Sequence, residues 1–334
     1  MGKQGRAWVD WGNLLVGLIL TTLTTLTTLT TPHPIASPLV ATVLLCGLPS
    51  VAYTATCLTL AWYDLSGVWD RFRLTPTTPS LERYTVPLLR AGLDVVLLEA
   101  PVVFAWLLHA PPASGAYLWG YPTVSTGAAV VDGAVVVLGW AAAVGVGWGV
   151  VALNDGLGSV LHEVFHAFKP AYRGIHKAHH VPLTDWCAST IDDHWVERLV
   201  LETGLFRIGL LALVPVPIPA LALVYVANYA DAAIAHSGLY VPPGAAPTPW
   251  FLPHIDGRYH WAHHALLSKN YCEDEAIGAL VDRIRVAVFN LPPSHIPTHQ
   301  IVLPKYHSLS PHAPTPTPHP KPPTPHPPNP VVDG

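Results

Sequence analysis

Five stretches of this 334-residue chain, residues 13–31, 35–63, 88–109, 127–153 and 205–229, run apolar for about the ~20 residues an α-helix needs to cross a bilayer. Only 11% of the residues are charged, against about 25% in soluble globular chains, and 51% are hydrophobic. Too little charge is left to cover a water-facing surface, so the expected fold is an all-α, multi-spanning membrane helical bundle. The net charge of −4 and the absence of any basic block argue against nucleic acid as a partner.

The segment 13–31 is rich in Thr and built on a Thr-Thr-Leu repeat. Lys3 and Arg6 in front of it fit a signal peptide's charged n-region, but Pro32 and Pro34 stand where a cleavage site would follow, and a retained anchor is expected. The run 205–229 contains Pro215, Pro217 and Pro219. Alternate prolines cannot continue a helix, because each lacks an N–H and clashes with the preceding turn. Two helices, 195–214 and 220–236, joined as a hairpin that dips into the bilayer, are expected there. Lys and Arg in short loops set orientation. The loop 64–87 carries Arg71, Arg73 and Arg83, the loop 110–125 carries no charge, and Lys169, Arg173 and Lys177 follow the fourth run. Basic, neutral, basic places 64–87 and the region after 153 on the cytosolic side.

Within the spans, Arg90 and Asp94 are spaced as an i,i+4 helix pair, and Glu99 is expected to hydrogen-bond inside the bundle. The four cysteines, Cys46, Cys57, Cys187 and Cys272, show no CxxC spacing and read as free thiols. Residues 311–334 hold 11 prolines in 24 positions and read as disordered, without a function for His312, His319 or His326. The chain thus divides into N-terminal spans (1–153), a histidine-rich region with the membrane hairpin (154–290) and a Pro-rich tail (291–334).

Histidine is the anomaly: of 19, eleven fall between residues 162 and 264, and ten of these, all but His254, stand in spaced groups. His162 and His166 stand at i and i+4 in a helix expected to continue from the fourth run. His176, His179 and His180 repeat the i, i+3, i+4 pattern, and His260, His263 and His264 repeat it again, so each set shares a helix face. His194 and His236 lie at expected helix ends beside the membrane. One HxxxH arises often by chance. Two HxxHH groups in one chain do not, because no packing demand puts three imidazoles on one face. Neutral and packed together they leave polar atoms unsatisfied, and protonated they repel; a metal resolves both. Ten candidate ligands exceed one tetrahedral site and suit two ions with four or five each. The expected architecture is therefore a membrane bundle with a histidine-rich helical cap on its cytosolic face.

His162-Glu163-x-x-His166 also reads HExxH, the pattern of zinc metalloproteases, with Glu163 as general base. An intramembrane zinc protease is the rival reading, and it leaves six histidines without a role. Asp155, Glu163, Asp192, Asp193 and Glu197, with Asn228 and Asp231 as weaker members, are candidates to orient imidazoles by accepting their second N–H. Trp186, Trp195, Tyr259 and Trp261 lie beside the histidines and either line a cleft or sit at headgroup depth.

Over roughly residues 153–286 the assembled motifs resemble the fatty acid hydroxylase superfamily, which includes sterol desaturases and sterol methyl oxidases. His162-x3-His166, His176-x2-His179-His180 and His260-x2-His263-His264 resemble its three boxes. His194 with Glu197 resembles the family's His-Pro-x-Glu step, with Trp195 in place of proline. His236-Ser237-Gly238 resembles the lone histidine before the last box. Asn270-Tyr271 and Asp282-Arg283 resemble the elements that follow it, with Val281 where the family has tryptophan. The resemblance implies a di-iron centre (zinc as isolated being an alternative occupant), O₂ chemistry on a lipid, electrons from cytochrome b5 or a reductase, and the endoplasmic reticulum membrane. The implied substrate is sterol-like, with fatty acyl and terpenoid chains also suited.

Overall fold

The computed structural model describes residues 36–75, 80–109, 129–180 and 186–301, apart from 210, 211, 213, 215, 247, 250, 251 and 253. All of these lie in the first of two units, residues 1–303. The first apolar run, the uncharged loop 110–125 and residues 302–334 of the proline-rich tail lie outside the described residues.

Helix α1 comprises Ala36–Thr42, a π-helical turn Val43–Gly47 and Leu48–Leu65. Helix α2 comprises Leu81–Asp94, a second π turn Val95–Glu99 and Ala100–His109. Helix α3, Ala129–Ala167, has 39 residues. Pro38–Leu65, Leu81–His109, Ala134–Ala167 and Ile218–Ala235 are the described helices long and apolar enough to cross a membrane. The chain is a membrane protein built as an all-α bundle. At 1.5 Å per residue α3 is about 58 Å long, nearly twice a ~30 Å hydrocarbon layer. The helix is therefore longer than such a layer is thick, and His162 and His166 lie in its last turns.

The proline-bearing run breaks into two helices. Helix α5 begins at Trp195–Glu197 and continues as the π-helical stretch Arg198–Gly209. Helix α6 spans Ile218–Ala235. Pro217 caps α6 and Pro219 sits in its first turn, where no intrahelical partner is lost by the missing N–H. Helix α6 packs against both α1 and α3. Leu44, Leu45, Val103, Val150, Leu221 and Val224 fill the seam. Gly147 makes the α3–α6 approach feasible, since a Cβ there would lie 3.0 Å from a methyl of Val224. Leu97 and Leu138 remain 72% and 68% exposed, as residues that face lipid rather than water would be.

A second core joins the inner end of α1 to the segment before α5. Tyr53 donates from its hydroxyl to the Cys187 carbonyl at 2.8 Å, amid Cys57, Trp69, Ala188 and Ile255. Beyond α6, strands β1 (Tyr240–Val241) and β2 (Ile255–Asp256) pair antiparallel and turn the chain into α7, Arg258–Leu266. Helix α8, Glu275–Phe289, starts on the Asp274 side chain, which accepts the Ile277 N–H at 2.9 Å, and packs back on α3.

The i,i+4 expectation for Arg90 and Asp94 is corrected. Arg90 reaches Asp192 at 3.1 Å and the Asp193 carbonyl at 3.1 Å, while Asp94 lies 3.6 Å from Arg198. A helix-surface pair contributes only about 0.3–0.5 kcal/mol, whereas a buried guanidinium without counter-charges is far more costly. Arg198 is buried and takes Asp193 at 2.6 Å and one oxygen of the fully buried Glu99 at 3.2 Å. The other Glu99 oxygen pairs with buried Arg207, which also donates to Tyr229 and to the Leu45 carbonyl. Glu99 is thus engaged inside the bundle, as its sequence position suggested.

Candidate metal centre

The final turns of α3 supply His162 and His166, on one face as the i,i+4 spacing requires. The chain then turns through α4 (Lys169–Gly174) and brings back His176, His179 and His180. This second group is not the expected α-helix: His176–Ala178 is a single 3-10 turn. His236 caps the end of α6, and α7 carries His260, His263 and His264.

The side chains converge into two adjoining groups. His162, His166, His176, His180 and His263 form one; His179, His236, His260 and His264 form the other, with the donor atoms of each group within 4.8 Å of one another. Each HxxHH therefore sends its i,i+4 pair to one group and its i+3 histidine to the other. The groups touch, with the His180 and His264 rings 4.5 Å apart. All seven of the nine that lie outside α3 are buried. Burial, reinforced by neighbouring rings, holds His180 down to about 2, and burial holds His236 down to about 4. It also holds His179, His260, His263 and His264 well below the usual imidazole value. The rings stay neutral, the form that binds metal.

A neutral imidazole has one N–H and one lone pair, so whatever its outer nitrogen donates to fixes what its inner nitrogen offers. His162 Nδ1 lies 3.0 Å from the Tyr271 carbonyl and His263 Nδ1 lies 2.7 Å from the Lys269 carbonyl. His236 Nδ1 lies 3.0 Å from the Ala232 carbonyl, and His176 Nδ1 lies 2.7 Å from Glu197 Oε1. A carbonyl can only accept, so the Nε2 atoms of neutral His162, His236 and His263 are lone pairs aimed inward, and Glu197 turns His176 Nε2 the same way. The Nε2 atoms of His162, His236 and His263 are buried without a hydrogen-bond partner. The Nε2 atoms of His166, His176 and His180 form a triangle with sides of 2.9 to 3.1 Å. Two N–H groups directed at the one His176 lone pair would bring their hydrogens together. A cation among converging nitrogens satisfies them all, and the residues fit the metal sites that such a donor set implies.

Several expected site residues stand elsewhere. His194 joins neither group. It caps α5, its Nδ1 accepting the Val196 N–H at 3.2 Å, with its ring beside Trp195. Of the candidate orienting carboxylates, Glu197 holds an imidazole. Glu163 instead forms a two-pronged ion pair with Arg285, and Asp193 pairs with Arg198, because a guanidinium within reach outbids a neutral ring. Asp155 accepts the backbone N–H groups of Glu273 and Asp274 at 3.1 and 3.2 Å, and Asp192 holds Arg90. With both oxygens of Glu163 on Arg285, and His162 and His166 sharing their group with three further histidines, the protease arrangement is not favoured.

The aromatic candidates have other tasks. Trp186 lies under Arg83, Trp195 is exposed, Trp261 donates to Thr75 at 2.9 Å, and Tyr259 packs against Gly278. The rings that do flank the five-histidine group are Tyr172, 5.2 Å from His166, and Tyr271, 5.3 to 5.7 Å from His162, His166 and His263. Tyr172 carries no spacing signal in the sequence, and Tyr271 is visible there only as part of the Asn-Tyr element. A small open cleft lined by Ser159, Glu163, Tyr259, Tyr271, Val281 and Arg285 mixes polar and apolar walls.

No curated protein and no solved structure matches the chain. A family model described as fatty acid hydroxylase matches residues 149–284. That stretch opens at the last turns of α3 before the first histidines and closes within α8, so it encloses every member of both histidine groups. Residues 149–284 thus form a fatty acid hydroxylase domain, of a family whose members are typically metal-dependent membrane oxidoreductases acting on lipids.

Proposed function

We propose that this protein is a non-haem di-iron oxidoreductase that hydroxylates or desaturates a lipid with O₂, a sterol-like molecule being the favoured substrate. The observation that carries this reading is the division of nine convergent histidines into groups of five and four. Imidazole-rich, oxygen-poor sites suit iron rather than magnesium or calcium. Bound iron would supply the electron-transfer chemistry by which O₂ is reduced and an unactivated C–H bond oxidised.

The chain's own residues prepare that chemistry. His162, His166, His176, His180 and His263 would hold one ion; His179, His236, His260 and His264 would hold the other. Glu197 and the carbonyls of Ala232, Lys269 and Tyr271 keep four of these rings in the tautomer that presents Nε2 inward. Burial keeps water from the donors and the rings uncharged. The spans α1, α2, α3 and α6 hold the site at the end of the bundle, where a membrane-dissolved lipid reaches it without entering water. The basic loop 64–87 supports a cytosolic placement, in the endoplasmic reticulum, with cytochrome b5 or a reductase as electron donor. The resemblance to sterol desaturases and sterol methyl oxidases supports the substrate class.

The test is product analysis. Membranes containing the protein, supplied with sterols and fatty acids, O₂ and a reducing system, should yield a hydroxylated or unsaturated lipid detectable by mass spectrometry. That product should vanish without O₂ and in His179→Ala. Metal-dependent peptide cleavage abolished by Glu163→Ala would instead establish the protease.

A further inference from the structure

Two of the five histidines in the larger group, His162 and His263, are oriented by backbone carbonyls only two residues apart, those of Tyr271 and Lys269. The residue between them, Asn270, is buried and left-handed, with φ at 55°. Its side chain is saturated. Nδ2 donates to the Tyr259 carbonyl at 3.1 Å and to the Ile296 carbonyl at 3.3 Å, and Oδ1 accepts the Ile296 N–H at 2.6 Å. Its own N–H donates to the Ser294 carbonyl at 2.9 Å.

The segment it grips is fixed in turn. Asp282 of α8 accepts from the Ser294 N–H and hydroxyl, each at 2.9 Å, and from the His295 N–H. Asn270 thus ties the loop that carries both carbonyls to α7 through Tyr259 and to α8 through Asp282. Asparagine suits the position twice: its short amide tolerates the left-handed region, and it offers both a donor and an acceptor.

We infer that Asn270 is a positioning residue for the five-histidine site: it holds the Lys269 and Tyr271 carbonyls where they force His263 and His162 to direct Nε2 inward. Loss of its side chain frees those carbonyls, and the two rings lose the acceptors that fix their tautomer and direction. The four-histidine group meets this loop through His260 and the Cys272 backbone, beyond the Lys269–Tyr271 stretch, so the effect falls mainly on the five-histidine site, which has two rings held there. This rests on the two-metal reading above, and the experiment separates the two.

The full-length protein is stripped of metal and equilibrated under nitrogen with graded ferrous ion, and bound iron is counted by mass spectrometry. Wild type should bind two ions per chain. Asn270→Gly keeps the left-handed backbone accessible and removes only the side chain. It should retain wild-type helix content and one ion, while the second binds at least ten-fold more weakly, within the range seen when groups that orient metal ligands are removed. His162→Ala should give the same single-ion curve. Wild-type binding of both ions by Asn270→Gly would overturn the inference. Should Asn270→Gly not fold, Asn270→Asp, which keeps Oδ1, decides by the same readout. Failure of both to fold would assign Asn270 to general stability and overturn the positioning role. A wild type that binds no iron would instead refute the metal reading itself.

Discussion

At the scale of the residue, what matters is which nitrogen of each ring is free. Glu197 settles this for His176, both groups being buried. Glu197→Ala should weaken metal binding at the five-histidine group about 10–100-fold, read from titration against a competing chelator, and unchanged affinity would contradict the role. His194 provides the contrast. His194→Ala should leave the metal count at the wild-type value and cost about 0.5–2 kcal/mol of stability as a lost cap; loss of a metal ion would restore it as a ligand. Gly278 is a third case, since any Cβ there meets the Tyr259 hydroxyl. Gly278→Ala should shift Tyr259, and with it the start of α7, lowering both thermal stability and metal affinity in melting and binding assays. The histidines themselves were legible from spacing. The distinction between His194 and its neighbours was not, because HxxE spacing is the same whether the ring turns toward a metal or back onto the N–H of its own helix.

At the scale of the element, apolar run lengths located α1, α2 and α3, and the alternate prolines located the break before α6. The π turns in α1 and α2 and the π stretch in α5 have no sequence signature, yet they belong to the segments that bury Glu99, Arg198 and Arg207. The i,i+4 rule paired Arg90 with Asp94 because it sees one helix at a time; buried Arg198 comes from another. Glu99→Ala would remove the carboxylate that buried Arg198 and Arg207 share, Arg198 keeping Asp193 and Asp94. It should cost about 3–5 kcal/mol, seen as a large drop in the melting midpoint of the purified protein. A midpoint within a degree or two of wild type would show the cluster to be dispensable. The second histidine group reads as helical by spacing, but the turn after α4 closes it as a 3-10 segment, which still splits His176 and His180 from His179.

At the scale of the whole molecule, a membrane bundle carries a buried array of neutral imidazoles at one end. Its histidines have folded-state values below the unfolded value of about 6.5, so the unfolded chain takes up protons that the fold refuses. Stability is therefore fully present above about pH 6.5 and falls as pH drops, for His236 until about pH 4. The metal-free protein should melt progressively earlier at pH 6 and pH 5 than at pH 8, and a flat profile over that range would contradict the burial of these rings. The most direct test of the central claim is the metal content of the purified protein, with His176→Ala and His260→Ala beside it. About two irons per chain in wild type, with one lost in each variant, is the expected result. A single zinc that survives both substitutions would contradict it.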